Sequence, residues 1–151
     1  MSISDNNATL YTLGDRGQTV DASAIDVRGR EVKDEDGEGI GKVVDLLVDE
    51  REGKVRFLLV AHGGFFGFGD TKTLIPVDAV TEISEQEVFI NQSRERVALV
   101  TGYTPDLVDD RQYHASIYRH YGYRPHWEEG YEYPPRLAFM FPPSPGISST
   151  I

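Results

Sequence analysis

Two apolar runs of similar length, joined by a short polar turn, constrain this chain more than any other feature. Gly41 to Asp49 and Lys54 to His62 flank Glu50-Arg-Glu-Gly53. In extended chain, successive side chains point to opposite faces. Val44, Leu46 and Val48 are therefore expected on one face of the first run, with Val43, Asp45, Leu47 and Asp49 on the other. In the second run Val55, Phe57, Leu59 and Ala61 alternate with Arg56, Leu58, Val60 and His62. Both faces turn apolar from Phe57 onward, which predicts a strand buried on each side at one end. Gly53 stands where a hairpin turn favours positive φ.

Shorter strand signals surround this hairpin. Ile25-Asp-Val27 is expected to begin a strand, and Lys33-Asp-Glu-Asp-Gly37 is a turn cluster. Thr73-Leu-Ile75 predicts a third strand that ends at Pro76, followed by a turn and strand within Val77 to Ile83 and a last strand at Glu87 to Ile90. Short strands with turns every ten residues or so indicate a small antiparallel barrel or sandwich. Closure is attractive for so small a unit, because it removes sheet edges.

Four zones follow. Residues 1–24 are polar and read as a flexible N-terminal arm, which Leu10, Tyr11 and Leu13 could pin in part. Residues 25–92 form the β domain, and residues 93–127 a helical extension. There Thr104-Pro105 reads as an N-cap followed by proline, and Gly122 as the stop. On that helix Leu107, Tyr113, Ile117, Tyr118 and Tyr121 fall on one stripe. Residues 128–151 are a proline-rich tail, expected to be extended, in which Leu137, Phe139, Met140 and Phe141 are unusually apolar.

Composition narrows the function classes. Lys and Arg total 15 against 25 Asp and Glu, a net charge of −10. Phosphate backbones and anionic membranes repel such a surface, so direct nucleic-acid and membrane binding are disfavoured, while a basic protein partner is favoured. The absence of cysteine excludes disulfides, thiolate metal sites and cysteine nucleophiles. The first residues lack the basic flank and apolar core of a signal peptide, and no apolar run reaches membrane-spanning length, so a cytoplasmic location is expected.

Residues 25–92 resemble the PRC-barrel family. The resemblance is carried by Asp26-Val-Arg-Gly-Arg-Glu-Val32, Gly39-Ile-Gly-Lys-Val-Val-Asp-Leu-Leu-Val-Asp49 and Gly53-Lys-Val-Arg-Phe-Leu-Leu-Val60. Gly63-Gly-Phe-Phe-Gly-Phe-Gly69 and Leu74-Ile-Pro-Val-Asp-Ala-Val80 complete it. The Thr-Pro helix and Tyr118-Arg-His-Tyr-Gly122 are similar to extensions on stand-alone bacterial members. Similar barrels form the cytoplasmic domain of the photosynthetic reaction-centre H subunit and the C-terminal domain of a ribosome-maturation factor. The resemblance implies an all-β fold, a small antiparallel PRC-type barrel followed by a helix and an extended tail. It also implies a binding or assembly module rather than an enzyme.

Chemistry-bearing residues do not converge in the sequence. His114, His120 and His126 recur every six residues, which scatters them around a helix. Asp110 and His114 are spaced for a weak metal pair or a surface ion pair. Asp45 and Asp49 share a strand face but read as solvated exterior. The run Asp34, Glu35, Asp36 and Glu38 lacks EF-hand spacing, since Asp45 stands where a bidentate Glu is required. Gly63 to Gly69 matches no phosphate loop. No catalytic residue, cofactor site, small-molecule substrate or metal site is expected. The expected contact residues are Phe65, Phe66, Phe68, Tyr118, Tyr121 and Trp127, because a few buried aromatics dominate most interfaces. The leading expectation is a self-associating, homodimeric interaction module. Alternatives are a helper of ribosome or RNA-processing assembly acting through a basic protein, and a small metal- or ligand-binding protein.

Overall fold

The computed structural model describes residues 10–14, 26–62, 71–100 and 102–140. Seven strands are present: β1 (Leu10–Thr12), β2 (Glu31–Lys33), β3 (Gly39–Asp49), β4 (Val55–His62), β5 (Thr71–Pro76), β6 (Val80–Ile83) and β7 (Glu87–Ile90). Three helices follow: α1 (Arg94–Leu99), α2 (Arg111–Tyr121) and α3 (Pro135–Met140). The fold is mostly β, as the alternation requires.

The sheet runs in the order β5-β4-β3-β2-β7-β6, with β1 added beside β3. It is open rather than a closed barrel, and it is not wholly antiparallel, because β2 and β7 run parallel. The reason lies at Pro76. The neighbouring pairs β2/β3, β3/β4, β4/β5 and β6/β7 are antiparallel. For β7 to align with β2, the chain must run on without reversing between β5 and β6. Pro76 and the 3-10 turn Val77–Ala79 carry it around that corner. The two ends of the sheet are thus joined by covalent chain and not by a ladder.

The central hairpin forms where expected. Gly53 has φ 68°, and its N–H donates to the Asp49 carbonyl at 2.7 Å. Two bulges alter the simple alternation. Val43 pairs Val60 and Asp45 pairs Leu59, which leaves Val44 as the extra residue on β3. Val44 is accordingly exposed, and Val43 and Leu46 share a face. Farther along, Leu47 pairs Phe57 and Val48 pairs Val55, so Arg56 is the extra residue on β4. A bulge re-aims the residue that it expels from register, and Arg56 is 2% exposed.

Both faces of β4 are buried. One carries the cross-strand row Leu46, Leu58 and Ile75, and the other carries Phe57, Leu59 and Leu74. Helix α2 covers the second face, with Phe57 ring centroids 5.3 Å from His114 and 5.0 Å from Tyr118. The buried residues of α2 are Tyr113, His114, Ile117, Tyr118 and Tyr121, one helical stripe. Each such apolar side chain contributes roughly 1.5–3 kcal/mol on burial. An isolated helix of this length is marginal in water, so packing holds α2 in place.

Several boundaries differ from the sequence expectation. The first strand of the 25–92 zone is Glu31–Lys33, not Ile25–Val27, of which Ile25 lies outside the described residues. Leu10–Thr12 is a buried strand on β3 within the expected flexible arm. Thr104 and Pro105 begin only a 3-10 turn, and Asp110 caps α2 by accepting from the N–H groups of Gln112 and Tyr113. Gly122, at φ 85°, ends α2 as expected. Pro135 opens a short helix in the expected extended tail, since proline is well tolerated at a first helical position. That helix places Leu137 fully in the core.

Gly41 lies where β3 comes closest to β4. A Cβ there would collide with the Ala61 carbonyl oxygen and would stand 2.8 Å from the His62 Cβ. Gly41→Ala is expected to destabilise the fold by about 1–3 kcal/mol, measured as a lower urea midpoint at unchanged m-value.

Candidate functional site

The C-terminal extension covers a cluster of buried polar side chains on the sheet. Asp49 ends β3 and Arg56 bulges from β4, which brings the two side chains together. Arg56 Nε and Nη2 donate to Asp49 Oδ2 at 3.3 and 3.1 Å. Nη2 also donates to Glu52 at 3.0 Å. Asp49 Oδ1 accepts from the Arg51 and Glu52 backbone N–H groups, tying the turn to the pair. Burial opposes the charge on Arg56, but the Asp49 carboxylate outweighs it and raises the guanidinium pKa. The Tyr133 and Tyr131 rings lie 5.4 and 6.0 Å from the guanidinium carbon, within cation–π range. Asp49, expected on a solvated exterior, is instead 4% exposed, because α2 and the following chain cover that face.

A second set of contacts surrounds it. The Tyr118 hydroxyl lies 3.0 Å from His126 Nδ1, and His126 Nε2 lies 3.9 Å from Asp49 Oδ2. Tyr131 donates its hydroxyl to Asp78 Oδ2 at 2.8 Å, and Tyr133 donates to the Val55 carbonyl at 3.1 Å. Arg136 donates to the carbonyls of Val80 and Asp78, both at 2.8 Å. Burial pushes the Asp78 carboxyl up, against the pull of the Tyr131 hydrogen bond. Burial likewise raises the phenols of Tyr118, Tyr131 and Tyr133, so all three stay protonated.

The sequence Tyr118–His126–Asp49 has the order of a proton relay, yet Tyr118 is fully buried and presents no surface to solvent. The neighbouring cleft, about 350 Å³, is lined by Asp78, Tyr123, Arg124, Tyr131, Glu132 and Arg136 among others. Arg124 and Arg136 are spent on backbone carbonyls, and Asp78 Oδ2 on Tyr131, while Asp78 Oδ1 meets no hydrogen-bond partner among the described residues. Among the described residues no group of three or more His, Asp or Glu side chains is placed to hold a metal ion.

The expected contact residues have divergent fates. Phe65, Phe66 and Phe68 lie outside the described residues. Tyr118 and Tyr121 are 0% and 4% exposed, so they are core side chains of the chain's own fold and present no surface. Trp127 is half-buried, edge-on to His126 at 5.1 Å, with the Arg111 guanidinium 4.9 Å from its ring. His114, read as a surface group, is fully buried. Asp45 caps the end of β1 by accepting from the Gly14 N–H. Asp34, in the acidic run, is buried and accepts from the N–H groups of Asp36, Glu38 and Arg94, which makes it a structural turn residue. Arg56, Asp78 and Tyr131 escaped the sequence reading. Only the bulge and the returning C-terminal segment bring them together, and neither leaves a local signal.

With the strand order, the Pro76 corner and the glycine contacts in view, the comparison with known families is decisive. The PRC-barrel domain matches residues 22–97. The chain belongs to the PRC-barrel family. No curated protein matches it. The match ends at Val97, which α1 buries in the PRC core, so α2, α3 and the polar cluster's Tyr118, His126 and Tyr131 lie beyond the family unit. No helix among the described residues is long and apolar enough to cross a membrane.

Arg56→Met is expected to destabilise the protein by about 3–5 kcal/mol, because it leaves Asp49 buried without its partner charge. Adding Asp49→Asn should restore part of that loss. A double-mutant cycle by urea denaturation would show strong coupling, and additive effects would contradict the arrangement.

Proposed function

We propose that this PRC-barrel protein is a non-catalytic interaction and assembly module that associates with itself through the Gly63–Gly69 segment. One observation carries the reading. His62 and Thr71 pair directly across β4 and β5, so the connecting residues leave from and return to two adjacent paired strands, the first of them the deeply buried β4. Those connecting residues include Phe65, Phe66 and Phe68 among glycines. Aromatic residues in a connection between two paired strands combine the bulky apolar side chains and the rigid support that interface anchors need.

The sheet edges support the same reading. The Tyr103 N–H donates to the Lys72 carbonyl on β5 at 2.7 Å, and Arg136 occupies the Val80 carbonyl on β6. Backbone pairing with another chain is therefore obstructed at both ends of the sheet, which leaves side-chain burial as the source of affinity. Apolar area removed from water contributes roughly 25 cal/mol per Å², less the ordering of the segment. A cytoplasmic setting accompanies this reading.

The net charge of −10 favours a second reading, in which the partner is a basic protein of a ribosome or RNA-processing assembly. Salt separates the two, since an electrostatic partner is lost at high ionic strength and an aromatic contact is not.

Phe66→Ala and Phe68→Ala should each weaken self-association by about tenfold or more, read by sedimentation equilibrium, with the far-UV circular dichroism of the parent retained. A parent protein that sediments as a monomer at high concentration would sink the self-association.

A further inference from the structure

Two histidines lie between the C-terminal extension and the sheet that it covers. His114 of α2 is fully buried, 5.3 Å from the Phe57 ring and 5.8 Å from the Tyr113 ring by centroid. Neither of its ring nitrogens meets a hydrogen-bond partner among the described residues. His126 follows α2 and places Nδ1 against the Tyr118 hydroxyl, beneath the half-buried Trp127. We propose that His114 and His126 form an acid-operated latch, which holds the extension on the β4–β5 face while both are neutral and releases it when they are protonated.

The geometry explains why charge is not tolerated. An imidazolium at 114 would bury two N–H donors beside the Phe57 and Tyr113 rings, with only weak support from the Val108 backbone. At 126 it would add a cation beside Arg56 and Arg111. The anion nearest His126, Asp49, already accepts two hydrogen bonds from Arg56. The charged groups around His114 are Asp109, Asp110 and Arg111; the attraction of the two carboxylates, with that of the Val108 backbone, is weaker than desolvation, and Arg111 adds to the opposition. Burial thus pulls His114 down to about 4, and burial with the Arg56 charge also lowers His126.

The sign follows. Both groups bind protons less readily in the closed state than in the released chain, whose histidines titrate near 6.5. The latch is fully closed above that value and weakens as pH falls through it, levelling off only near the closed-state values. Asp78, raised by burial, acts in the opposite sense. His62 at the end of β4 is also lowered by burial. It lies outside the latch and serves as the control.

The test is tryptic cleavage after Arg119, which is reached only when α2 unwinds. The rate in the full chain is normalised at each pH to that of an unstructured peptide of the same residues. Between pH 7.5 and 5.5 the opening constant should rise about a hundredfold, roughly tenfold for each histidine. His114→Leu and His126→Asn singly should each reduce the rise to about tenfold, and together abolish it. His126→Asn keeps an acceptor for the Tyr118 hydroxyl, and His62→Gln should leave the rise unchanged. Should the double variant fail to fold, the single variants still read the two contributions. A flat response in the parent, a hundredfold rise in either single variant, or loss of the strand circular dichroism in step with cleavage would each overturn the latch.

Discussion

A sheet that is apolar on both faces must be covered on both, and β4 is the strand that imposes this demand. Its residues from Val55 to Val60 are all buried, although they point alternately to opposite sides. On one side lies the fully buried cross-strand row Leu46, Leu58 and Ile75. The other side, with Phe57, Leu59 and Leu74, has no second sheet to meet. Helix α2 fills that role, which ties the stability of the PRC unit to a segment beyond the family match. The extension is in this sense part of the core.

The same demand accounts for the polar cluster. A bulge near the start of β4 turns Arg56 into the interface instead of letting it reach water. Buried charge is tolerated only where it is paired and hydrogen-bonded. Asp49 supplies the pairing, Glu52 a second acceptor, and the two tyrosines of the returning chain a π surface. Replacing such a pair by apolar residues is often neutral or stabilising elsewhere. Its value here is positional: it sets where Tyr131 and Tyr133 come down on the sheet. Arg136 then caps carbonyls at the corner where the sheet ends.

Much of the β region was legible in the sequence because its signals are local. The period-2 runs, Gly53 and the Pro76 stop each act over a few residues, and they produce β3, β4 and β5 close to where alternation puts them. The bulges were not legible. Val44 and Arg56 look like ordinary members of an alternating run, and only the pairing register marks them as extra. Barrel closure was misjudged for a related reason. Whether the chain reverses after Pro76 depends on how β7 finds β2, a contact between residues far apart in sequence. For the site, the helical stripe of α2 was readable, but a stripe does not say what covers it. Tyr118 and Tyr121 face the chain's own sheet, and His114 shares that face one residue from Tyr113.

These burials shift the burden of recognition. With the α2 aromatics committed to the core and the β5 and β6 ends obstructed, the described surface offers few apolar anchors, chiefly Leu99 and Val44. Single exposed apolar residues are common on any protein and do not make an interface. The aromatic content that remains for contact is concentrated between His62 and Thr71. On the proposed reading, the paired strand ends at His62 and Thr71 limit how much freedom is lost when the connecting residues bind. On the proposed reading, the architecture separates two tasks along one hairpin: its buried half anchors the extension, and its connecting end makes the contact.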